Sequence, residues 1–228
     1  MSSVVEQIRS RGYWDIAIYP EPYEKDRVDY GELVGLLSRN VVSLRGWPVP
    51  FVDHQAQIDR REDWIGQDID ASIVDHYEAW RFFTSGQFSQ LRTISADWSS
   101  GRGGTTPANL DDPVIEVWEI LFYLTEIYEL AARLALGPAG DERMTIRVRL
   151  NNLLGRRLIM GVPRWLPLRN SPHSTMEYIE RTQTLERDAL VTTTRQLAAE
   201  MSRQFFVRFG WDAPLDTLGT LQAELREA

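Results

Sequence analysis

Two dipeptides in this chain set an acid beside an imidazole in matching surroundings, Val52-Asp53-His54 and Val74-Asp75-His76. A carboxylate and an imidazole can share a divalent metal or pass a proton between them. Asp53, His54, Asp75 and His76 together would give the donor set of a metal-dependent hydrolase of the phosphodiesterase kind. The spacing fits no metal motif, however. Neighbouring residues on a strand also point to opposite faces, so each dipeptide offers one side chain at most to a given site. Solvated loop positions account for both pairs with fewer assumptions. The hydrolase stands as the alternative reading, and no metal or cofactor is expected.

A second chemistry is written in Met144 to Leu158, MTIRVRLNNLLGRRL, which carries Arg147, Arg149, Arg156 and Arg157. Guanidinium groups form a planar fork that matches carboxylates and phosphates. Met144, Ile146, Val148 and Leu150 alternate with Thr145, Arg147 and Arg149, so a strand here buries one face and presents arginines on the other. Asn151 to Gly155 makes a turn, and Arg156 to Met160 returns as the second arm of a hairpin. Clustering four like charges away from water is costly without acids to pair them. The sequence therefore predicts exposure and an anionic partner. Arg147, Arg149, Arg156 and Arg157, with Trp165 beyond them, are the candidate contacts.

The rest of the composition limits what that partner is. The chain of 228 residues has a formal net charge of −8 and a pI near 5.0, so it gains little from net charge when approaching a nucleic acid. A nucleic-acid backbone and an acidic protein surface are therefore equally good partners. Lys25 is the only lysine among 25 cations, a bias that fits a GC-rich, bacterial coding genome and makes arginine the default surface cation. Charge is uneven: Asp53 to Glu78 holds eight acids and two arginines, and Asp141 to Arg169 holds seven arginines and two acids. These two segments would also satisfy one another across a fold. Eight tryptophans offer further anchors or base-stacking surfaces, although pinning loops onto the core is their commoner use.

Other chemistries are excluded. With no cysteine there is no disulfide, thiolate nucleophile or cysteine metal site. Gly101-Arg-Gly-Gly-Thr-Thr is glycine-rich but lacks the lysine of a phosphate-binding P-loop. No G-x-S-x-G elbow and no G-x-G-x-x-G fingerprint occurs. The N-terminal residues lack the apolar run of a signal peptide, and the longest apolar stretch, Val114 to Leu136, contains four glutamates and an arginine. A cytoplasmic chain without a membrane span is the expectation.

The elements that must position these groups follow from periodicity. Tyr13 to Tyr19 alternates as a strand ending at Pro20, and Val28 to Leu44 has helical spacing closed by Gly46. Tyr77 to Ile94 reads as a hairpin turning at Thr84-Ser85-Gly86. Residues 99–107 form a glycine-rich loop. Asp112-Pro113 is an N-cap and first-turn pair that would open a helix over Val114 to Leu136. Apolar residues cover most of that helix, with Glu116, Glu119, Tyr123, Glu126 and Arg133 in one polar stripe, which marks a central core element. A weak strand falls within Tyr178 to Leu190. Thr194 to Phe209 is an amphipathic helix, and Pro214 starts a short leucine-striped one. The order implies an α+β fold, mainly antiparallel, built from two hairpins around a central apolar helix with C-terminal helices. It is read as one unit, with two helix–hairpin halves, about 1–98 and 110–228, joined by the loop 99–107. The most economical function is a non-catalytic binding or accessory module.

Overall fold

The computed structural model of the chain describes residues 3–74, 76–98, 113–161, 168 and 172–226. Its main element is a seven-stranded antiparallel sheet. Chain order gives β1 (Tyr13–Glu21), β2 (Asp59–Arg60), β3 (Trp64–Ala71), β4 (His76–Phe83), β5 (Phe88–Thr93), β7 (Arg143–Asn151) and β9 (Tyr178–Glu186). Their order in space is β2-β3-β4-β5-β1-β7-β9. A second, two-stranded sheet pairs β6 (Val114–Glu116) with β8 (Arg157–Ile159) in parallel. The helices are α1 (Val4–Arg9), α2 (Leu33–Asn40), α3 (Val117–Ala135), α4 (Arg187–Thr192), α5 (Thr194–Arg208) and α6 (Leu215–Ala223). The α+β class, the antiparallel sheet, the central helix and the C-terminal helices are thus observed. Among the described residues, no helix is long and apolar enough to cross a membrane.

Strand periodicity builds one face of the sheet. Trp14, Ile16 and Ile18 of β1, Phe88 of β5, Trp80 and Phe82 of β4, and Ile146, Val148 and Leu150 of β7 are all buried in one apolar cluster. The central helix α3 lies on that face. Ile120, Leu121, Leu124, Ile127, Leu130 and Leu134 are fully buried in it, and α5 packs alongside through Met201 and Phe205. On the opposite face the short helix α1, started by a Ser3–Glu6 capping box, packs against β4 and its neighbours. The hairpin of β4 and β5 turns where Gly86 takes φ +82°. A Cβ there would stand 2.4 Å from the carbonyl oxygen of Ala139, so only glycine fits.

Four expectations change. The central helix starts at Val117, not Val114: Val114 and Ile115 are extended and pair with Arg157 and Leu158. Two β-branched residues meeting an extended partner in β8 outweigh the Pro113 start signal, while Asp112 lies outside the described residues. That same pairing takes β8 away from β7, so the arginine-rich segment does not close on itself as a hairpin. Instead β7 runs full-length between β1 and β9. The predicted helix over Val28 to Leu44 is confined to Leu33–Asn40, and Val42 forms an isolated bridge to Val49. Finally β3, unexpected from the sequence, pairs with β4 over all eight of its residues. The loop 99–107 lies outside the described residues, and the main sheet draws its strands from both sides of it.

Candidate functional site

The two acid–imidazole dipeptides are not brought together as a site. Asp53 turns its carboxylate onto the backbone N–H groups of Gln55 and Ala56, and His54 is exposed. Asp75 lies outside the described residues. His76 points into the sheet's buried face, where its Nε2 lies 2.7 Å from Glu78 Oε2. Among the described residues no group of three or more histidine or acidic side chains is arranged to hold a metal ion.

The four candidate arginines divide between two environments. Arg147 and Arg149 occupy the outward face of β7, as their alternation requires, each about one-third exposed. Both are met by acids from the flanking strands. Arg147 donates to Asp15 of β1 at 2.8 Å, and Arg149 lies 3.4 Å from Glu180 of β9. Arg149 also donates to Asn151 and stacks on Tyr178 at 3.8 Å from the ring centroid. Thr145 joins the same ladder through Glu21 and Thr184. The acids that answer these arginines belong to the same sheet rather than to the segment Asp53 to Glu78.

Arg156 is buried. Its Nη1 and Nη2 each reach Asp97 at 2.6 Å in a two-pronged pair, and Nη1 also donates to the carbonyl of Val114 at 2.6 Å. It ties the end of β5's following turn to β6 and serves the fold. Arg157 sits in β8 with Nε buried, and Trp165 lies outside the described residues. The sequence thus groups four arginines that the fold separates.

The cations best placed for an outside partner are others. Arg181 of β9 and Arg208 at the end of α5 line the same surface groove, which runs beside the last strand of the sheet. One end is bounded by Glu200, Arg203, Gln204, Val207 and Leu215, the other by residues 176–180. Burial first, and then the like charge of Arg208, lower Arg181's pKa from its ordinary value. Arg181's one side-chain hydrogen bond among the described residues goes to the carbonyl of Glu180, at 2.7 Å. Arg203, by contrast, is held by Asp212 at 2.7 Å. Three sizeable apolar side chains are uncovered along this groove: Tyr178, Val207 and Leu215 are 49%, 48% and 37% exposed. β9 ends the sheet, so its outer edge pairs with no other described strand.

Sequence reading missed this site because its arginines are scattered, one on a strand and one on a helix 27 residues later. The available signal was that Arg208 closes an amphipathic helix on its polar side.

Compared with protein-family models, with curated proteins and with solved structures, the chain matches none.

Proposed function

We propose that the protein is a non-catalytic binding module whose contact with its partner is the groove between β9 and α5, and that the partner is an acidic protein segment in extended conformation. The observation that carries this reading is the juxtaposition of Arg181 and Arg208 beside an edge strand that ends the sheet. Two neighbouring guanidinium groups repel one another, and an arriving carboxylate relieves that repulsion. A nine-residue edge strand offers alternate backbone N–H and C=O groups to an added strand, and the exposed apolar residues give that strand side-chain pockets.

A nucleic-acid backbone is the poorer fit. Glu177, Glu180 and Glu200 line the same groove and would repel a continuous polyanion, whereas a peptide can place its acids only where the arginines stand. Arg147 and Arg149 are already matched by Asp15 and Glu180, which lowers what they offer to a partner.

The test is a random twelve-residue peptide display library panned against the wild type and against the double variant Arg181→Glu, Arg208→Glu. Acidic peptides at a fixed spacing are expected to be enriched by the wild type and lost by the variant, with binding that weakens in salt. Enrichment without acidic bias, or equal binding to both proteins, overturns the proposal. So does tighter binding of a single-stranded oligonucleotide at the same groove.

A further inference from the structure

Arg92 lies on the inward face of β5, is 7% exposed, and sits in the layer between the sheet and α3. A buried guanidinium is normally met by a carboxylate, because an unpaired charge away from water is expensive. Among the described residues no carboxylate pairs with Arg92. Its close contact is the face of the Tyr123 ring, 4.6 Å from the centroid, and its Nη1 is buried with no hydrogen-bond acceptor.

The nearby acids are turned elsewhere. Glu78, opposite Arg92 on β4, takes the N–H of Phe51 at 2.9 Å, the amide of Gln90 at 3.0 Å and the ring of His76 at 2.7 Å. Glu119 of α3 accepts the N–H of Ser95 at 3.2 Å. Glu126 forms a two-pronged pair with Arg45. Every other charged group of the layer has a partner.

A second donor without an acceptor stands beside the first. Trp14 of β1 is directly opposite Arg92 in the strand pairing, so the two side chains share a face a few ångströms apart. The indole Nε1 of Trp14 is buried and, among the described residues, has no acceptor. Tyr123 touches both, with its ring 5.2 Å from the Trp14 ring. Arg92 and Trp14 thus both pack on the Tyr123 ring, and among the described residues each has a buried N–H without an acceptor. Arg92 keeps a small exposed edge through which one could arrive.

We propose that Arg92 and Trp14 form the seat of a small monocarboxylate ligand, the fork of Arg92 meeting both carboxylate oxygens and Trp14 Nε1 donating to one of them. The ligand's apolar portion lies against Tyr123. Carboxylate is favoured over phosphate because Glu78, Glu119 and Glu126 surround the seat, and a dianion would meet more repulsion than a monoanion. Burial raises the pKa of the Glu119 carboxyl above its ordinary value, against the opposing pull of Arg92.

The experiment is thermal unfolding and calorimetric titration of the full chain with acetate, propionate, benzoate and lactate. Chloride and inorganic phosphate at matched ionic strength serve as controls. At least one monocarboxylate is expected to raise the melting temperature saturably. Arg92→Met should weaken its binding roughly 10- to 100-fold, and Trp14→Phe by a smaller factor. Arg92→Lys, which keeps the charge without the fork, should fall between them and serves if the methionine variant does not fold. Without added anion, Arg92→Met should melt no lower than the wild type, since it removes an unpaired buried charge. Responses to monocarboxylates no larger than to chloride, or unchanged in the Arg92 variants, overturn the proposal. A response confined to phosphate overturns the ligand class.

Discussion

At the scale of single residues, burial decides what each charge does. Arg156 and Arg147 look alike in the sequence, yet one is held by Asp97 with 3% of its side chain exposed and the other is one-third open to solvent. Arg156→Met should cost about 3–5 kcal/mol in urea unfolding, because Asp97 is left buried without its partner. The double change of Arg147 and Arg149 to serine should cost no more than about 1 kcal/mol per ion pair, since solvent screens both. A loss in the double variant equal to that of Arg156→Met would mean that the outer ladder holds the sheet together.

Titration adds a second contrast at this scale. Desolvation lowers the pKa of His76, against the opposing pull of its hydrogen bond to Glu78. The unfolded chain therefore takes up this proton more readily than the fold does. Stability from this residue is present above the unfolded value near 6.5 and is lost as pH falls below it. His76→Gln should flatten the stability profile between about pH 7 and 5. For Glu119 the sign reverses. Its raised pKa gives stability that is full at low pH and lost as pH rises. Glu119→Gln should therefore stabilise the protein at neutral pH, with a gain that shrinks on acidification. Parallel urea titrations of both variants across that range check the two signs together.

At the scale of elements, side-chain periodicity carried most of the reading. The alternation of Met144 to Leu150 placed Arg147 and Arg149 on the outward face, and the apolar circumference of α3 marked it as central. Leu121 is fully buried in that helix, and Leu121→Ala should cost about 2–5 kcal/mol. Gly86→Ala should cost about 1–3 kcal/mol, because the turn needs positive φ and the added methyl meets Ala139. A loss under about 0.5 kcal/mol at either position in urea unfolding would show that the helix or the turn has room to yield. What periodicity did not reveal was pairing. Nothing local in Val114-Ile115 says that its partner is Leu158, and nothing in Trp64 to Ala71 advertises a strand, since Asp68 and Asp70 interrupt its apolar pattern on the exposed face. The polar stripe of α3 was legible, but its direction was not. Glu119, Tyr123 and Glu126 face inward, onto Arg45, Gln90 and Arg92. The candidate seat at Arg92 depends on that long-range juxtaposition, which no sequence spacing encodes.

At the scale of the whole molecule, the sheet has unequal ends. One end finishes in the two-residue β2 within an acidic region, the other in the nine-residue β9 beside arginines. Long exposed edges invite pairing, and an arginine turned inward from β9 is one way to discourage unwanted strands while admitting acidic ones. Arg181→Val should therefore increase self-association, measured by light scattering at rising concentration. A monomer unchanged by that substitution would show that the edge is protected by something else.

The position of β1 has a consequence in time. It is the first strand of the chain, yet it lies inside the sheet, with Tyr13 in register with Thr93 of one neighbour and with Asn151 of the other. A ribosome delivers the first neighbour long before the second. Through that interval the nascent chain can assemble β1 with β3, β4 and β5, but one side of β1 is left without its mate, and until α3 is made the apolar row of Trp14, Ile16 and Ile18 also lacks its cover. Contacts so distant along the chain are slow to close, and an uncovered strand is where other chains attach. The period between synthesis of β5 and arrival of β7 is therefore when this protein most needs a holding chaperone, and a chain released early, before Arg143, would keep that liability for good.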